Sequence, residues 1–325
     1  MSKIVNKRIN EIKESLDTSL DTLEVTSDFF LTKSHEQSYY AALSKARTIQ
    51  SNNRLIDVSS KDWKKKYWKT FHCKNTLLQN GSKSKGELCR KRWCENCNRI
   101  KTAEMMNGYS KPLQDLQEED DLYFITLTSK TVQEKRLRHE IERRYKAFTR
   151  IKDNLRKNHN IKLVGCRKLE VTYNEKEDWY HPHFHFIQKG KREAEMLLEY
   201  WYKHNPLAGA GGQSIKLIDA NNSKSLIELF KYATKEVAKD EINAKALHNI
   251  YKAIDRKRVF QTYGKLRKVK EIKEAKEEFN DLDFIKPNSE IWVYDLALKD
   301  YTNAYDQELI GTVQIEYDIK EAEYK

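Results

Sequence analysis

The chain has 325 residues, enough for more than one folded unit and too many for a minimal peptide scaffold; no apolar run approaches the roughly 20 residues that span a bilayer. An apolar fraction of 38%, a charged fraction of 34% and a mean hydropathy of −0.87 exclude a membrane-embedded protein and describe a soluble one rich in surface. The net charge of +12 is uneven: residues 271–325 hold fifteen acidic against six basic residues, or −9, which leaves +21 on the first 270. A body so basic suits a polyanion such as DNA or RNA, although a ribosome-like or merely soluble basic protein carries similar charge.

Residues 1–60 are polar, with helical spacing in Ile9, Ile12, Leu16 and again in Tyr40, Leu43, Ala46, Ile49, and are expected to form a helical extension. The first eleven residues lack the apolar core of a signal peptide, so a cytoplasmic protein is expected. Only four prolines and ten glycines point to long regular elements.

Residues 61–110 form a Cys-rich segment. Its run Lys64-Lys-Lys-Tyr-Trp-Lys69 interleaves cations with aromatics, as phosphate contacts with base stacking would, or as a solvated face over two core aromatics would. Cys73, Cys89, Cys94 and Cys97 are four of the chain's five cysteines. In a reducing compartment a metal explains such clustering better than disulfides, and tetrahedral Zn²⁺ would supply folding energy to a segment too polar to build its own core. His72 is an alternative to Cys73 as ligand, and Cys166 reads as a small buried residue.

From residue 121 the texture changes. Leu122–Thr128 reads as a strand, about 132–157 as a long basic amphipathic helix, and residues 168–173 and 183–188 as two further strands joined by a polar connector, 174–178. A turn centred near Lys176 and Glu177 is expected to set Glu170 across from His185 and Thr172 across from His183, all on one face. In His181-Pro-His-Phe-His185 alternation points His183 and His185 to one face and Phe184 and Phe186 to the other. A lone His-x-His is more often a pair of partly buried, hydrogen-bonded histidines. With Glu170 or His181 as a third ligand, the pattern suits a catalytic Mg²⁺ or Mn²⁺, with nitrogen favouring Mn²⁺.

Residues 192–204 read as a helix, Ser214–Ile218 as a strand after a Gly-rich turn, and 224–239 as a helix that stacks Glu228 one turn before Tyr232. Lys235 shares that face, where an ammonium can steady a phosphate or help ionise a phenol of ordinary pKa about 10. Glu228 can activate water or accept the phenolic proton. On its pattern alone the helix would be an ordinary amphipathic one, packed through Leu229, Phe230 and Ala233. The whole is an α+β plan, an antiparallel sheet covered by helices. Its expected parts are a helical extension (1–60), a zinc-binding segment (61–110), a catalytic domain (111–270) and an acidic C-terminal tail (271–325).

Six ordered segments carry a resemblance: Cys89-Arg-Lys-Arg-Trp-Cys-Glu-Asn-Cys97, Phe124-Ile-Thr-Leu-Thr128, Lys168-Leu-Glu-Val-Thr-Tyr-Asn174, His181-Pro-His-Phe-His185, Glu228-Leu-Phe-Lys-Tyr-Ala-Thr-Lys235 and Arg256-Lys-Arg-Val-Phe-Gln-Thr-Tyr-Gly264. Together they resemble the replication initiators of rolling-circle plasmids, in the single-tyrosine branch of the His-hydrophobic-His endonuclease superfamily. Where that family often has proline after the third cysteine of its set, this chain has Glu95.

The resemblance implies a fold of the His-hydrophobic-His endonuclease type and a nicking enzyme acting at plasmid origin DNA, double-stranded and single-stranded. Tyr232 would attack one phosphodiester at the double-strand origin, leaving a 5′-phosphotyrosine link and a free 3′-OH to prime synthesis. His183, His185 and Glu170 would hold the divalent metal, Glu228 would activate water for the terminating cleavage, and host helicase and polymerase would be recruited, with no membrane partner. The rivals are a mobilisation relaxase or single-tyrosine transposase and, from another class, a zinc-dependent DNA-binding regulator without catalysis.

Overall fold

The computed structural model describes residues 34–80, 83–230, 240–269, 289–307 and 309, with the backbone alone for 34–40, 83, 223–225 and 228. The described residues divide into two compact units. One gathers 34–50, 68–97 and 289–307, and the other 51–67 and 98–269.

In the first unit a four-stranded antiparallel sheet has the order β2-β1-β8-β9. Its strands are β1 (Thr76–Asn80), β2 (Lys83–Gly86), β8 (Glu290–Asp295) and β9 (Asp300–Asn303). Residues 289–307, read in the sequence as part of an acidic tail, thus supply two strands, and Leu77 of β1 pairs with Trp292 of β8. Helix α1 (Ser34–Asp57) packs Ala42, Ala46 and Ile49, at i, i+4 and i+7, into a core with Leu77, Trp292, Tyr294 and Tyr301. The small alanines let the helix approach the large aromatics closely.

The second unit is built on a five-stranded antiparallel sheet of order β6-β3-β5-β4-β7. These are β3 (Leu122–Thr128), β4 (Gly165–Asn174), β5 (Trp179–Lys189), β6 (Ser214–Ile218) and β7 (Phe260–Tyr263). The expected strands and helices of this region recur with ends shifted by a few residues: α4 (Glu134–His159), α5 (Lys191–His204) and α6 (Ser223–Phe230). Helices α2 (Lys61–Trp68), α3 (Glu95–Glu119) and α7 (Glu241–Ala253) complete the described set. The Lys/aromatic run lies on α2 up to Trp68, and two aromatics of that helix meet His248. Tyr67 is fully buried with its hydroxyl 2.8 Å from His248 Nδ1, and Trp63 meets the His248 ring edge-on.

Central strand β5 divides its side chains as alternation requires. Phe184 and Phe186 pack under Tyr145 and Phe148 of α4 and Trp201 of α5, whose indole N–H donates to the Thr128 carbonyl at 2.7 Å. The β4–β5 hairpin closes over residues 175–178, centred on Lys176 and Glu177 as expected. A hairpin closed there pairs Glu170 with His183, Lys168 with His185 and Thr172 with His181. The expected pairing was therefore two residues out. A shift of two preserves the face, so every side chain assigned to it remains there.

Beneath α4 a buried polar network joins helix and sheet. The Glu140 carboxylate accepts from Ser129 Oγ (2.8 Å), Arg143 (2.6 Å) and the fully buried Arg144 (3.2 Å). Burial alone would raise the Glu140 carboxyl, but these donors outweigh it and hold the pKa at about 2. Because this value lies below the ordinary 4.5, the stabilisation is complete above about pH 4.5 and is lost as pH falls toward 2. Glu140→Gln should cost about 3 kcal/mol at neutral pH by leaving Arg144 without its anion. It should also flatten the loss of stability through that acid window. Urea midpoints of both proteins across pH check both effects.

Candidate functional site

Among the described residues two groups of donor side chains could hold metal ions, and each lies within one unit. In the first unit Cys73 follows a turn ahead of β1 and Cys89 follows β2, so the β1–β2 hairpin brings the two together. Cys94 and Cys97 sit at the start of α3, where the helix dipole favours thiolates. The Sγ atoms of Cys73, Cys89, Cys94 and Cys97 all lie within 4.8 Å of one another, with closest approaches of 3.5–3.6 Å. A disulfide needs about 2.05 Å. The edge of a tetrahedron of sulfurs around an ion at ~2.3 Å is about 3.8 Å, which is the nearer match.

Backbone N–H groups of Cys89 and Arg90 donate to Cys73 and Cys97 sulfurs at 3.5 and 3.2 Å, as they would to thiolates. Hydrogen bonds from Cys89, Cys94 and Cys97 pull the Cys73 thiol down. Of the two candidates for the first ligand, Cys73 joins the cluster while His72 is exposed.

Sequence reasoning missed Lys45, whose ammonium is 1% exposed beside this cluster. It donates to the carbonyls of Phe71 and Cys73 and to Asn75 Oδ1. Burial pushes it down to about 8 against the opposing fields of Cys73, Cys94 and Cys89. The missed signal is a lysine on the apolar stripe of α1, one residue before Ala46. Cys166 lies apart in β4, fully buried, its thiol pushed up to about 12 by burial.

The second group is Glu170, His183 and His185, also within 4.8 Å of one another. His183 Nδ1 lies 3.1 Å from the His181 carbonyl, so with Nδ1 protonated its Nε2 presents a lone pair. Burial first, and then the charge of His185, press its pKa down to about 4, so the ring is neutral near pH 7. His185 Nδ1 lies 3.2 Å from Thr126 Oγ1 and its Nε2 lies 3.4 Å from Glu170 Oε2. The His181 ring stacks on His183, with centroids 5.3 Å apart.

The Glu170 carboxyl is 6% exposed. Burial raises its pKa, but the His185 hydrogen bond and the Lys168 charge override it and hold the value at about 2. Lys168, a second residue the sequence reading passed over, is buried with Nζ 3.3 Å from Glu170 Oε2. Two imidazoles and an ionised carboxylate on one strand face fit a divalent cation. The nature of either ion is a matter of donor chemistry, sulfur favouring zinc and mixed nitrogen and oxygen favouring Mn²⁺ or Mg²⁺.

Helix α6 lies on this same face. Phe230 packs on Phe260, which pairs across the sheet with Lys168, and Tyr109 of α3 stacks on Phe230 and meets Phe260 at a tilt. Glu228 belongs to α6 by its backbone, while its side chain, and all of Tyr232 and Lys235, lie outside the described residues.

The class to which these features point is the replication proteins. A family model described as "Replication protein" matches residues 81–191, a stretch that contains Cys89, Cys94, Cys97, Glu170, His183 and His185 and stops short of Tyr232. The chain is similar to "Protein rep" of Staphylococcus aureus, 29% identical over 164 residues, 47% of this chain and 71% of that one. It is similar also to "Protein rep" of Streptococcus pneumoniae serotype 2, 24% identical over 201 residues, 56% of this chain and 62% of the relative. A third "Protein rep", from Bacillus amyloliquefaciens, is 36% identical over 69 residues, 21% of this chain and 20% of the relative. No solved structure matches. These matches support the resemblance to rolling-circle plasmid replication initiators and, with it, a plasmid replication initiator.

Two outcomes follow from the geometry. Thr126→Val removes the partner of His185 Nδ1 and should weaken Mn²⁺ binding about tenfold, measured by isothermal titration. The wild-type chain should copurify with about one zinc per molecule by atomic emission, and Cys94→Ser should abolish that metal and lower the melting temperature of the purified protein.

Proposed function

We propose that this protein is a cytoplasmic rolling-circle initiator of the single-tyrosine, His-hydrophobic-His type, which nicks one strand of its plasmid origin. The observation that carries the reading is the strand face on which Glu170, His183 and His185 converge, with α6, the helix of Glu228, packed on that face through Phe230 and Phe260. The match to replication proteins over residues 81–191 and the basic body support it.

In this reading Tyr232 is the nucleophile. Its phenolic oxygen attacks the scissile phosphorus as its proton passes to Glu228 or solvent; the bond to the 3′-oxygen breaks, and the protonated 3′-OH becomes the primer end. The 5′-phosphate stays on the tyrosine. His183, His185 and Glu170 would hold a divalent cation, which would supply charge stabilisation to the phosphoryl group in the transition state. His181 and Thr126 fix the two ring orientations, and Lys235 steadies the phosphate. At termination Glu228 takes a proton from water, whose oxygen attacks the phosphorus at the second cleavage point and frees a 3′-OH; that 3′-OH attacks the phosphotyrosine in a strand transfer, the bond to Tyr232 breaks, the phenolic oxygen takes up a proton, and no covalent link remains. The Cys73, Cys89, Cys94 and Cys97 group is a structural zinc site, and host helicase and polymerase would act on the primed end.

Incubation with supercoiled plasmid carrying the cognate origin, with Mn²⁺ or with chelator, followed by mass mapping of the adduct, tests this reading. A metal-dependent adduct on the Tyr232 peptide is expected. Tyr232→Phe should abolish it while DNA binding persists, and Glu228→Ala should retain the first cleavage and lose the terminating one. Tight binding without any nick would sink the enzyme and favour a zinc-dependent DNA-binding regulator.

A further inference from the structure

The sixth segment of the resemblance, around residues 256–264, has no part in the chemistry above, yet it borders a cavity of about 280 Å³ on the opposite face of the sheet. Arg167 of β4 lies between Phe186 and Gln261 in the strand register, and so faces away from Lys168 and Glu170. Its guanidinium is stacked over the Tyr145 ring at 4.4 Å and is only 5% exposed. Nη2 donates to Gln261 Oε1 at 2.6 Å, while Nε and Nη1 are fully buried without a hydrogen-bond partner.

A buried guanidinium normally has a carboxylate, as Arg144 has Glu140. Among the described residues none pairs with Arg167, and no acidic side chain lines the cavity. Lys152, Arg256, Lys257 and Arg258 line it instead. The loop that carries the last three is pinned in place. Tyr145 donates to the Arg258 carbonyl at 3.0 Å, Lys257 pairs with Glu142 at 2.5 Å, and Leu169 N–H donates to the Val259 carbonyl. An oxyanion entering this cavity would meet the exposed guanidinium groups of Arg256 and Arg258 at its rim, backed by the buried positive charge of Arg167, and guanidinium donors suit phosphate oxygens.

We propose that the Arg167 cavity, with Arg256 and Arg258 at its rim, is a phosphate-binding site on the face of the sheet opposite the Glu170–His183–His185 group, and that it takes a backbone phosphate of a bound DNA strand. The site would hold a DNA strand at a second point, away from the scissile phosphate. It shares with the proposed nicking reaction only the nature of the ligand.

The test uses the full-length chain with chelator present, so that metal-dependent chemistry plays no part. Binding of a fluorescein-labelled single-stranded oligonucleotide is followed by anisotropy across salt concentration, and ATP is titrated separately as a free-phosphate probe. The double variant Arg256→Ala/Arg258→Ala should weaken oligonucleotide binding on the order of tenfold and reduce the salt slope by about 1.4, ~0.7 for each phosphate no longer neutralised. Arg167→Met, checked for a native melting transition, should also reduce the slope, and Arg167→Lys should fall between it and the wild type. If ATP binding is lost in the double variant while the oligonucleotide is unaffected, the phosphate site stands and its ligand is a free nucleotide. Unchanged affinity and slope for both probes in the double variant and in folded Arg167→Met would overturn the site. A wild-type chain that fails to nick leaves these readings intact, and so separates this inference from the catalytic one.

Discussion

Antiparallel pairing of β4 with β5 is the constraint on which the second unit depends. Ten consecutive residues of one strand face ten of the other, and alternation then divides the chemistry between two sides. On one side the row Thr126, His185, Lys168 and Phe260 crosses four strands beside the pair His183 and Glu170. On the other, Ile125, Phe186, Arg167 and Gln261 form the matching row under α4. A slip by one residue would exchange these sets, burying imidazoles under α4 and exposing Phe184 and Phe186. The large aromatic area already committed to α4 and α5 opposes such a slip, so the apolar face fixes the position of the polar one.

Buried positive charge is the second recurring theme, and each instance is met differently. Lys45 gives its hydrogens to two carbonyls and an amide oxygen beside the cysteine cluster. Lys168 has Glu170 as an ionic partner, and Arg144 has Glu140. Arg167 has an aromatic face, one amide oxygen and, among the described residues, no anion. Desolvating a cation costs several kcal/mol unless the surroundings compensate for it. The differences among the four therefore separate charges that complete the fold from one that borders a basic cavity.

The first unit shows how distant segments are joined when no long apolar stretch is available. Residues 289–307 add β8 and β9 to the β1–β2 hairpin, and the shared core rests on Trp292, Tyr294 and Tyr301 against small helix residues. Four thiols close the base of that hairpin onto the start of α3. A thiolate-bound ion there would constrain a segment whose own side chains are mostly polar, the usual reason that small cysteine-rich units need metal.

The sequence by itself determined the local items: the strand at Leu122–Thr128, the alternation of His183 and His185 against Phe184 and Phe186, the turn at Lys176 and Glu177, and the clustering of four cysteines. These follow from period, turn chemistry and spacing, which act over a few residues and are legible in one chain. Only the tertiary structure decided which residues meet across the sheet. It showed that Glu170 stands opposite His183, that Lys168 shares its carboxylate, that Tyr67 is a core residue, and that part of the acidic tail forms strands with residues more than two hundred positions earlier. Such pairings depend on register and on long-range burial of apolar surface. Neither leaves a local pattern in the sequence, because the same alternating strand can pair with several partners until its apolar face finds the one that covers it.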